Sequence, residues 1–345
     1  MDKVRDANMP ETENSALMTL ELVHLQLTRQ CNLRCWFCGQ WGKQGFFADS
    51  RGKEMNREEW LKVVGELLDY REQTGEAPSV ILWGGEPLMS PYFDEIAELL
   101  HKEGFSLGLV TNGTLIHRHQ EVCRKCFKRI YLSVDGPRQA HDAIRGQGVF
   151  DRVAQNRKLL AGGTAEVVMM SVLTQRACEH LKEHVEALAE LLPDALILQE
   201  MIGLTGEEIL QYRRWMKENF GTDAEDIEGW RNEAALMTAR GRNKIRDELP
   251  ELNRLASFPV SYLPHGEACS RRFCLSPYRH LHVAWNGEVM YCTDFYDFSA
   301  GNVKENKLLD LFLNDRSRRF REEIRAGHCV TCEHCSWRNS MHFGL

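Results

Sequence analysis

Three cysteines stand within eight residues of this sequence, at Cys31, Cys35 and Cys38 in the stretch CNLRCWFC. Closely grouped thiols that stay reduced usually indicate a metal site or catalysis. Four cysteine thiolates normally hold a [4Fe–4S] cluster, so three thiols without a local fourth would leave one iron open. Zinc is the alternative, because cysteines also form closed tetrahedral zinc sites. The spacing of three and then two residues, with no matching second pair, favours iron and sulfur over zinc.

Composition excludes several classes of partner. The 345 residues are 43% hydrophobic and 27% charged, which is typical of a globular protein, and they carry a net charge of −7. A nucleic-acid partner is not expected, because neutralising phosphates needs an excess of Lys and Arg. No apolar run approaches the roughly 18 residues of a membrane span. The polar, acidic start of the chain does not resemble a signal peptide. We therefore expect a cytoplasmic protein with no membrane partner.

The elements that must position the cysteines alternate between strand and helix patterns. Strand patterns cover 20–28, 79–83, 105–111, 129–134, 165–174 and 195–202, and helical patterns lie between most of them, as at 56–73, 93–104, 150–163 and 179–192. Such alternation predicts a parallel sheet, either curled into a barrel or doubly wound. Chemistry collects at the carboxyl ends of such strands. The cysteine triplet, WGGEP, TNGT and SVDGP all fall there.

The motifs at these strand ends resemble those of the radical S-adenosylmethionine (radical SAM) enzymes. CNLRCWFC is similar to the family's CxxxCxφC signature, with Phe37 as the aromatic residue. The resemblance implies a partial (β/α)6 TIM-like barrel. It also implies that Cys31, Cys35 and Cys38 ligate a [4Fe–4S] cluster whose open iron binds the amino and carboxylate groups of SAM.

Other residues take expected roles from the same resemblance. Gly84, Gly85, Glu86 and Pro87 resemble the GGE motif, in which the carboxylate receives the SAM ammonium group. Ser133 and Asp135 resemble polar residues near the SAM ribose or carboxylate, although Asp-Gly-Pro is also a turn sequence. Arg145 resembles an arginine that could pair with the SAM carboxylate, the alternative being a surface salt bridge. Ser171 is a further ribose candidate, and TNGT around Asn112 is expected to be structural, with a SAM contact as the alternative.

The C-terminal cysteines resemble the SPASM or twitch type of auxiliary-cluster domain. HLHVAWNGEVMYC (280–292) alternates on both sides of Asn-Gly and predicts a β-hairpin. A full SPASM domain has seven cysteines in a longer pattern, whereas six lie here after position 268. We therefore expect one auxiliary [4Fe–4S] cluster, with zinc as the alternative. Five cysteines compete for four places, and the role of Cys269 stays open: Cys274, Cys292, Cys329, Cys332 and Cys335.

These assignments divide the chain into four segments. We expect an N-terminal tail (1–18), a radical SAM partial barrel (19–205), a helical connection (206–260) and a SPASM/twitch-like auxiliary domain containing the hairpin (261–345). Cys123 and Cys126 form a CxxC that is expected to pack beside a helix. The two histidines of HLH share one strand face, and either solvent or a cluster could lie beside them.

The resemblance implies reductive cleavage of SAM to a 5′-deoxyadenosyl radical, which removes a hydrogen atom from a substrate carbon. The shortened auxiliary region and brief N-terminal tail favour a sugar-, cyclitol- or nucleoside-like small molecule, with flavodoxin or ferredoxin as electron donor. Oxidation is expected, with the auxiliary cluster taking an electron. Epimerisation, with Cys269 or Cys178 as hydrogen donor, is the alternative. A maturase of a ribosomally made peptide and a non-catalytic iron–sulfur or zinc protein also remain open.

Overall fold

The computed structural model describes residues 18–41, 45, 53–233, 236–265, 274 and 276–335. Within these ranges the strands form one sheet. The strands are β1 (Leu22–Gln26), β2 (Ser79–Trp83), β3 (Leu107–Thr111), β4 (Arg129–Ser133), β5 (Glu166–Leu173), β6 (Ala195–Glu200), β7 (Val260–Leu263), β8 (His280–Val283), β9 (Glu288–Met290) and β10 (Gly301–Asn302).

Helices follow most of the strands. They are α1 (Arg57–Thr74), α2 (Phe93–Lys102), α3 (Gln120–Lys125), α4 (Arg138–Arg145), α5 (Val149–Leu159), α6 (Leu181–Ala189), α7 (Gly206–Phe220), α8 (Ala239–Leu255), α9 (Ser276–Arg279), α10 (Leu308–Leu313) and α11 (Asp315–Ala326). No described helix is both long and apolar enough to cross a membrane.

The sheet runs β10-β9-β8-β1-β2-β3-β4-β5-β6-β7. Neighbours from β8 through β1 to β7 are parallel, while β8–β9 and β9–β10 are antiparallel. This arrangement confirms the predicted α/β partial barrel and the C-terminal hairpin. Strand β7 was not predicted, because it is only four residues long and offers little alternation to recognise. The expected domain boundary between residues 260 and 261 falls inside β7. Strand β7 at one edge of the sheet and strands β8 to β10 at the other belong to the same sheet as the earlier strands.

Helix α1 shows how local sequence sets an element. Asn56 precedes it and forms a capping box with Glu59, in which each side chain accepts a hydrogen bond from the other residue's backbone N–H. Gly75 ends the helix in the left-handed conformation at φ 75°. One face buries Trp60 and Leu67 against the sheet. The buried face of the helix therefore belongs to the main hydrophobic core, together with Val23 and Leu25 of β1.

The two faces of each strand meet different surroundings. One face packs against the helices, as Val23 and Leu25 of β1 do. The other encloses the barrel interior, where a separate apolar group is buried: Ile81, Tyr131, Val168, Ile197 and Leu263. Along β1 the interior face continues from Leu22 to His24 and Gln26, and along β2 it ends at Trp83. The interior is thus apolar at one end and polar at the end where the cysteine loop begins.

Candidate functional site

The loop after β1 places Cys31, Cys35 and Cys38 together. Cys35 is buried and the other two are half-buried. Backbone N–H groups donate to two of the sulfurs, from Leu33 to Cys31 at 3.4 Å and from Trp41 to Cys38 at 3.4 Å. Burial raises the pKa of Cys31 to about 12 and that of Cys35 to about 11. Such thiols ionise only beside positive charge, which is what an iron–sulfur cluster supplies, so this donor set fits a cluster.

Glycines allow the loop after β2 to lie against this cysteine loop. The Gly85 N–H donates to the Thr28 carbonyl at 2.9 Å, and the Glu86 N–H donates to the Gln30 carbonyl at 2.7 Å. A Cβ atom on Gly85 would lie 2.3 Å from the Gln30 carbonyl oxygen, so only glycine permits this approach. The pairing of β1 with β2 therefore continues up to the residue before Cys31, with Pro87 opening the turn that follows.

The Glu86 carboxylate is fully buried at this junction. It accepts hydrogen bonds from Thr111 Oγ1 (2.7 Å), Asn112 N (2.8 Å) and Leu88 N (3.2 Å). Burial raises the pKa of Glu86 to about 7, against the lowering effect of these donors. A carboxylate offers about four acceptor positions, and three are taken. One position is left for a further donor, which agrees with the expected ammonium group.

Asn112 connects Glu86 to the cysteine loop, at a position for which the sequence predicted a structural role with a SAM contact as the alternative. Its Nδ2 lies 3.9 Å from Cys31 Sγ and 3.0 Å from Asn32 Oδ1. Its backbone N–H is the one bound by Glu86. Because Asn112 follows β3 as Glu86 follows β2, the strand ends bring these groups to the same edge of the sheet.

Arg145 and Asp135 form a buried ion pair beside the cysteines. Arg145 Nε donates to Asp135 Oδ2 at 2.5 Å, and Val172 N donates to Asp135 Oδ1 at 3.0 Å. Burial acts to raise the pKa of Asp135, but the Arg145 charge outweighs it and the pKa lies below its usual range. The guanidinium carbon lies 5.8 Å from the centre of the Phe37 ring, and its charge acts to lower the pKa of Cys35. Asp135 therefore orients Arg145 through one carboxylate oxygen and is held at β5 through the other, while the expected contact with the SAM ribose or carboxylate stays a prediction.

Three other predicted residues lie in different surroundings. Ser133 ends β4 on the interior face and is half-buried, as expected of a ribose contact. Ser171 lies on the opposite face of β5, fully buried, with Oγ 2.6 Å from His184 Nε2, so its hydroxyl is directed into the helix layer and away from the expected ribose.

The Cys178 thiol donates to the Thr174 carbonyl at 3.4 Å and burial raises its pKa to about 11. Its contact with Met237 Sδ at 3.3 Å does not favour a role in the barrel interior. Cys269 lies outside the described residues.

The five C-terminal cysteine candidates converge around one cavity. Four of them line it, namely Cys274, Cys292, Cys332 and Cys335. Cys329 approaches the group through a hydrogen bond between its thiol and that of Cys332, which lowers the pKa of Cys329 and raises that of Cys332. Burial raises the pKa of Cys292 well above its usual range. In the described part of the chain, no group of three or more His, Cys, Asp or Glu residues is spaced for a single metal ion. By contrast, Cys123 lies within α3 and Cys126 directly follows that helix, and both are buried in the core.

The auxiliary cysteine cavity borders the barrel interior. His24, His280 and His282 line the cavity together with the cysteines. Their strands are neighbours, with Leu22 opposite His280 and His24 opposite His282, so the three rings share the interior face. The His282 ring centre lies 5.0 Å from that of Trp83 and 5.6 Å from that of Tyr296. Sequence reasoning noted that the HLH histidines share a face, but it did not identify Trp83 or Tyr296.

Comparisons with known proteins agree with this geometry. Residues 25–208 match the family model of the Radical SAM superfamily, and residues 274–336 match that of SPASM, an iron–sulfur cluster-binding domain. The cofactor-modifying protein of the tungsten-containing aldehyde ferredoxin oxidoreductase of Pyrococcus furiosus is 25% identical over 94% of this chain and 89% of its own length. The AdoMet-dependent heme synthase of Methanosarcina barkeri is 25% identical over 91% of this chain and 88% of its own. Streptococcus suis SuiB, solved with its precursor peptide SuiA, shares the fold with a TM-score of 0.64 at 16% identity, over 94% of this chain and 73% of SuiB.

Proposed function

Since this chain belongs to the radical SAM superfamily and carries a SPASM domain, we propose that it oxidises a small polar substrate held in the barrel interior. The enzyme uses S-adenosylmethionine, a SAM-binding [4Fe–4S] cluster and an auxiliary iron–sulfur cluster. When bound, the first cluster and SAM supply a 5′-deoxyadenosyl radical that takes a hydrogen atom, and the auxiliary cluster supplies an acceptor for the substrate electron. All other steps depend on how the protein holds these groups.

In this proposal Cys31, Cys35 and Cys38 ligate the first cluster. Glu86 receives the SAM ammonium in its remaining acceptor position, and Arg145 meets the SAM carboxylate. Asp135 supports Arg145 by holding Nε, which leaves the two terminal amino groups of the guanidinium for a carboxylate. Phe37 contacts the arginine from the cysteine loop. Ser133, on the interior face, is the proposed ribose contact.

We assign the auxiliary cluster to Cys274, Cys292, Cys332 and Cys335, because these four line one cavity. The observation that carries the proposed oxidation is that His24 and His282 line this cavity and also face the barrel interior. An electron acceptor held by the four cysteines would then border the barrel interior through these histidines, on the side where we propose that the substrate binds. Epimerisation needs a thiol at the substrate instead, and the placement of Cys178 does not support that role.

Two observations favour a small molecule. The relatives that cover most of this chain are named for cofactor modification and heme synthesis. The polar part of the interior is made by aromatic and imidazole rings packed within 7 Å of one another, as for His24 and Trp83 at 6.3 Å. A sugar-, cyclitol- or nucleoside-like ring suits such surroundings. The similarity to SuiB supports the fold alone. A peptide substrate is therefore the alternative that the following experiment tests.

The test measures which cell components stimulate SAM cleavage. Reconstituted, reduced enzyme is incubated with SAM and with extract of the source cells divided into a fraction below about 1 kDa and a fraction above about 3 kDa. We expect the small fraction to raise 5′-deoxyadenosine formation and a protease to leave that stimulation unchanged. The Cys31, Cys35 and Cys38 to Ala variant is the control. Stimulation by the large, protease-sensitive fraction alone would indicate a peptide.

The fate of the substrate radical is then measured in deuterated water. Oxidation predicts a product two mass units lighter than the substrate, one per 5′-deoxyadenosine, with no solvent deuterium at carbon. A product one mass unit heavier would indicate epimerisation and overturn the proposed reaction.

A further inference from the structure

Arg321 is a buried arginine of α11 that lies beside the auxiliary cysteine cavity. The residue is only 5% exposed, and its neighbours in α11, Phe320 and Ile324, line the cavity. Its Nε donates to the carbonyl oxygen of Pro277 at 2.7 Å, and one terminal amino group donates to the Tyr291 hydroxyl at 3.1 Å. Pro277 and Tyr291 also line the cavity. The guanidinium is therefore bonded directly to residues of the cavity wall.

Aromatic rings pack around the guanidinium of Arg321. Its central carbon lies 4.7 Å from the ring centre of Phe312, 5.2 Å from that of Tyr291 and 6.0 Å from that of Tyr278. The terminal amino group that bonds Tyr291 also donates to the Phe312 carbonyl. Rings and carbonyl dipoles attract a cation, but they carry no net charge. The positive charge of Arg321 is not neutralised by this enclosure.

No carboxylate of the described residues pairs with Arg321, whereas Arg145 pairs with Asp135. The described hydrogen bonds of its guanidinium go to carbonyl and hydroxyl oxygens. Burial lowers the pKa of Arg321, and in the described chain Tyr291 and Tyr278 are the groups that act against this effect. Arginine stays protonated even so, and a buried charge without a counter-charge is costly. An anion close to Arg321 would remove that cost.

The four cysteines that line the cavity would supply this anion when they hold a cluster, because four thiolates give a [4Fe–4S] cluster a net negative charge. The start of α9 connects them to Arg321. The Ser276 N–H donates to Cys274 Sγ at 3.4 Å, and the next residue is the one whose carbonyl accepts from Arg321. Ser276 Oγ also donates to the carbonyl of Tyr291, which directly precedes Cys292.

We propose that Arg321 is the buried counter-charge of the auxiliary cluster and raises its reduction potential. Each electron that the cluster accepts adds one negative charge, so a fixed positive charge nearby stabilises the reduced form more than the oxidised form. A higher potential makes the cluster a better acceptor for the substrate electron. The inference rests on the proposed function, because it takes the four cysteines as cluster ligands. It adds a residue that acts on the reaction through the cluster, without touching the substrate.

Matched variants separate the charge of Arg321 from its hydrogen bonds. Arg321→Gln keeps a polar N–H group but removes the charge. Arg321→Lys keeps the charge but donates from a single nitrogen. Arg318→Gln is the control, because it removes the charge of an arginine of the same helix that pairs with Asp315 and whose side chain is 66% exposed. Water and salt screen a charge at such a position.

The measurement is the midpoint potential of the auxiliary cluster, from a redox titration followed by EPR. It uses the full chain with Cys31, Cys35 and Cys38 replaced by Ala, and it needs neither SAM nor substrate. A buried unit charge roughly 10 Å from a redox group changes its reduction equilibrium about tenfold. At the midpoint potential of the parent, Arg321→Gln should therefore lower the ratio of reduced to oxidised cluster about tenfold, a shift of about 59 mV to more negative potential. Arg321→Lys and Arg318→Gln should stay close to the parent.

Equal midpoint potentials in the parent and Arg321→Gln would overturn the inference, and so would an equal shift in Arg321→Lys and Arg321→Gln. If Arg321→Gln does not hold the cluster, the iron content decides. Retention of the cluster by Arg321→Lys would support the role of the charge. Equal loss from both variants would show that the residue acts through its shape and hydrogen bonds, and the inference would fall.

These outcomes are distinct from a failure of the proposed function. If the potentials follow the charge while no two-unit-lighter product forms, the counter-charge stands and the oxidation falls. If the lighter product forms while the potentials are equal, only the counter-charge falls. A parent protein without auxiliary iron would contradict the cluster assignment and the inference together.

Discussion

The hydrogen-bonding positions that a side chain has left unused indicate which ligand groups it can bind at this site. Glu86 gives three acceptor positions to Thr111, Asn112 and Leu88 and retains one. Arg145 gives Nε to Asp135 and retains its terminal amino groups. Beside the cysteine loop, Glu86 therefore offers one acceptor position and Arg145 offers its terminal amino groups as donors. These match the ammonium group and the carboxylate of an amino acid, respectively.

The first prediction concerns Glu86→Gln. The change keeps the shape of the side chain but removes its charge, so the charge-assisted bond to the SAM ammonium is lost. Such a bond is worth about 1.5–3 kcal/mol, and we expect SAM affinity to fall roughly ten- to hundredfold. Equilibrium dialysis with labelled SAM measures the affinity, and iron content should stay at the wild-type value. The exposed Glu58→Gln in α1 is the matched control, and unchanged affinity in Glu86→Gln would place the carboxylate outside the SAM site.

Site residues could be predicted from the sequence where a motif defines a loop. Prediction failed where it depended on which face of a strand a residue occupies. The triplet and the glycines after β2 were identified because their spacing resembles two family motifs, and at Gly85 the structure shows a backbone approach that only glycine permits. The ribose contact expected of Ser171 is not supported, since its hydroxyl meets His184. Both faces of β5 carry apolar residues, so alternation alone does not reveal which face meets the helices. Trp83 and His24 were missed for the same reason.

At the scale of elements, the loop after β1 and the segments around the hairpin form two separate thiol sites. The second prediction is that reconstituted enzyme holds about eight iron atoms per chain, from two [4Fe–4S] clusters. Replacing Cys31, Cys35 and Cys38 with Ala should remove about half of the iron, because the C-terminal cavity is built from other elements. Iron and sulfide analysis with EPR of the reduced protein measures this. About four irons in the wild type would contradict the two-cluster assignment.

The third prediction separates the five auxiliary candidates. Because Cys329 does not line the cavity, Cys329→Ala should keep the auxiliary cluster signal in a background that lacks the first three cysteines. Alanine at Cys274, Cys292, Cys332 or Cys335 should reduce its iron content several-fold. Cys126→Ala, at a buried cysteine outside both sites, controls for the general effect of the substitution. Loss of the signal in Cys329→Ala would mean that Cys329 is a ligand.

At the scale of the whole molecule, buried neutral histidines link stability to pH. Burial lowers the pKa of His184 to about 4, whereas an unfolded histidine titrates near 6.5. Between these values the unfolded chain binds more protons, so the contribution is fully present above about pH 6.5 and is lost as the pH falls towards 4. Glu86 opposes this trend, because its raised pKa of about 7 favours the folded state as the pH falls from 7 to about 4.5.

The fourth prediction compares how the unfolding free energy depends on pH in the wild type and in a His184→Gln variant. His184→Gln keeps a hydrogen-bonding group for Ser171 but cannot titrate. Between pH 7.5 and 4.5 the wild type should lose about 2 kcal/mol more unfolding free energy than His184→Gln. Urea unfolding under anaerobic conditions measures the difference. The exposed His101→Gln is the control and should follow the wild type, while parallel pH profiles for His184→Gln and the wild type would refute the assignment.

The parallel pairing of β1 with β8 has a consequence for how the chain is made. Leu22 pairs with His280, so the strand that leads into the first cysteine loop gains its second neighbour only after more than 250 further residues have been synthesised. Contacts of such long range are costly in loop-closure entropy and slow folding. A chain that ends before β8 would leave one edge of β1 open to pairing with other molecules. The sheet edge beside the first cysteine loop therefore stays open until β8 has been synthesised, so that site reaches its final surroundings only late in folding.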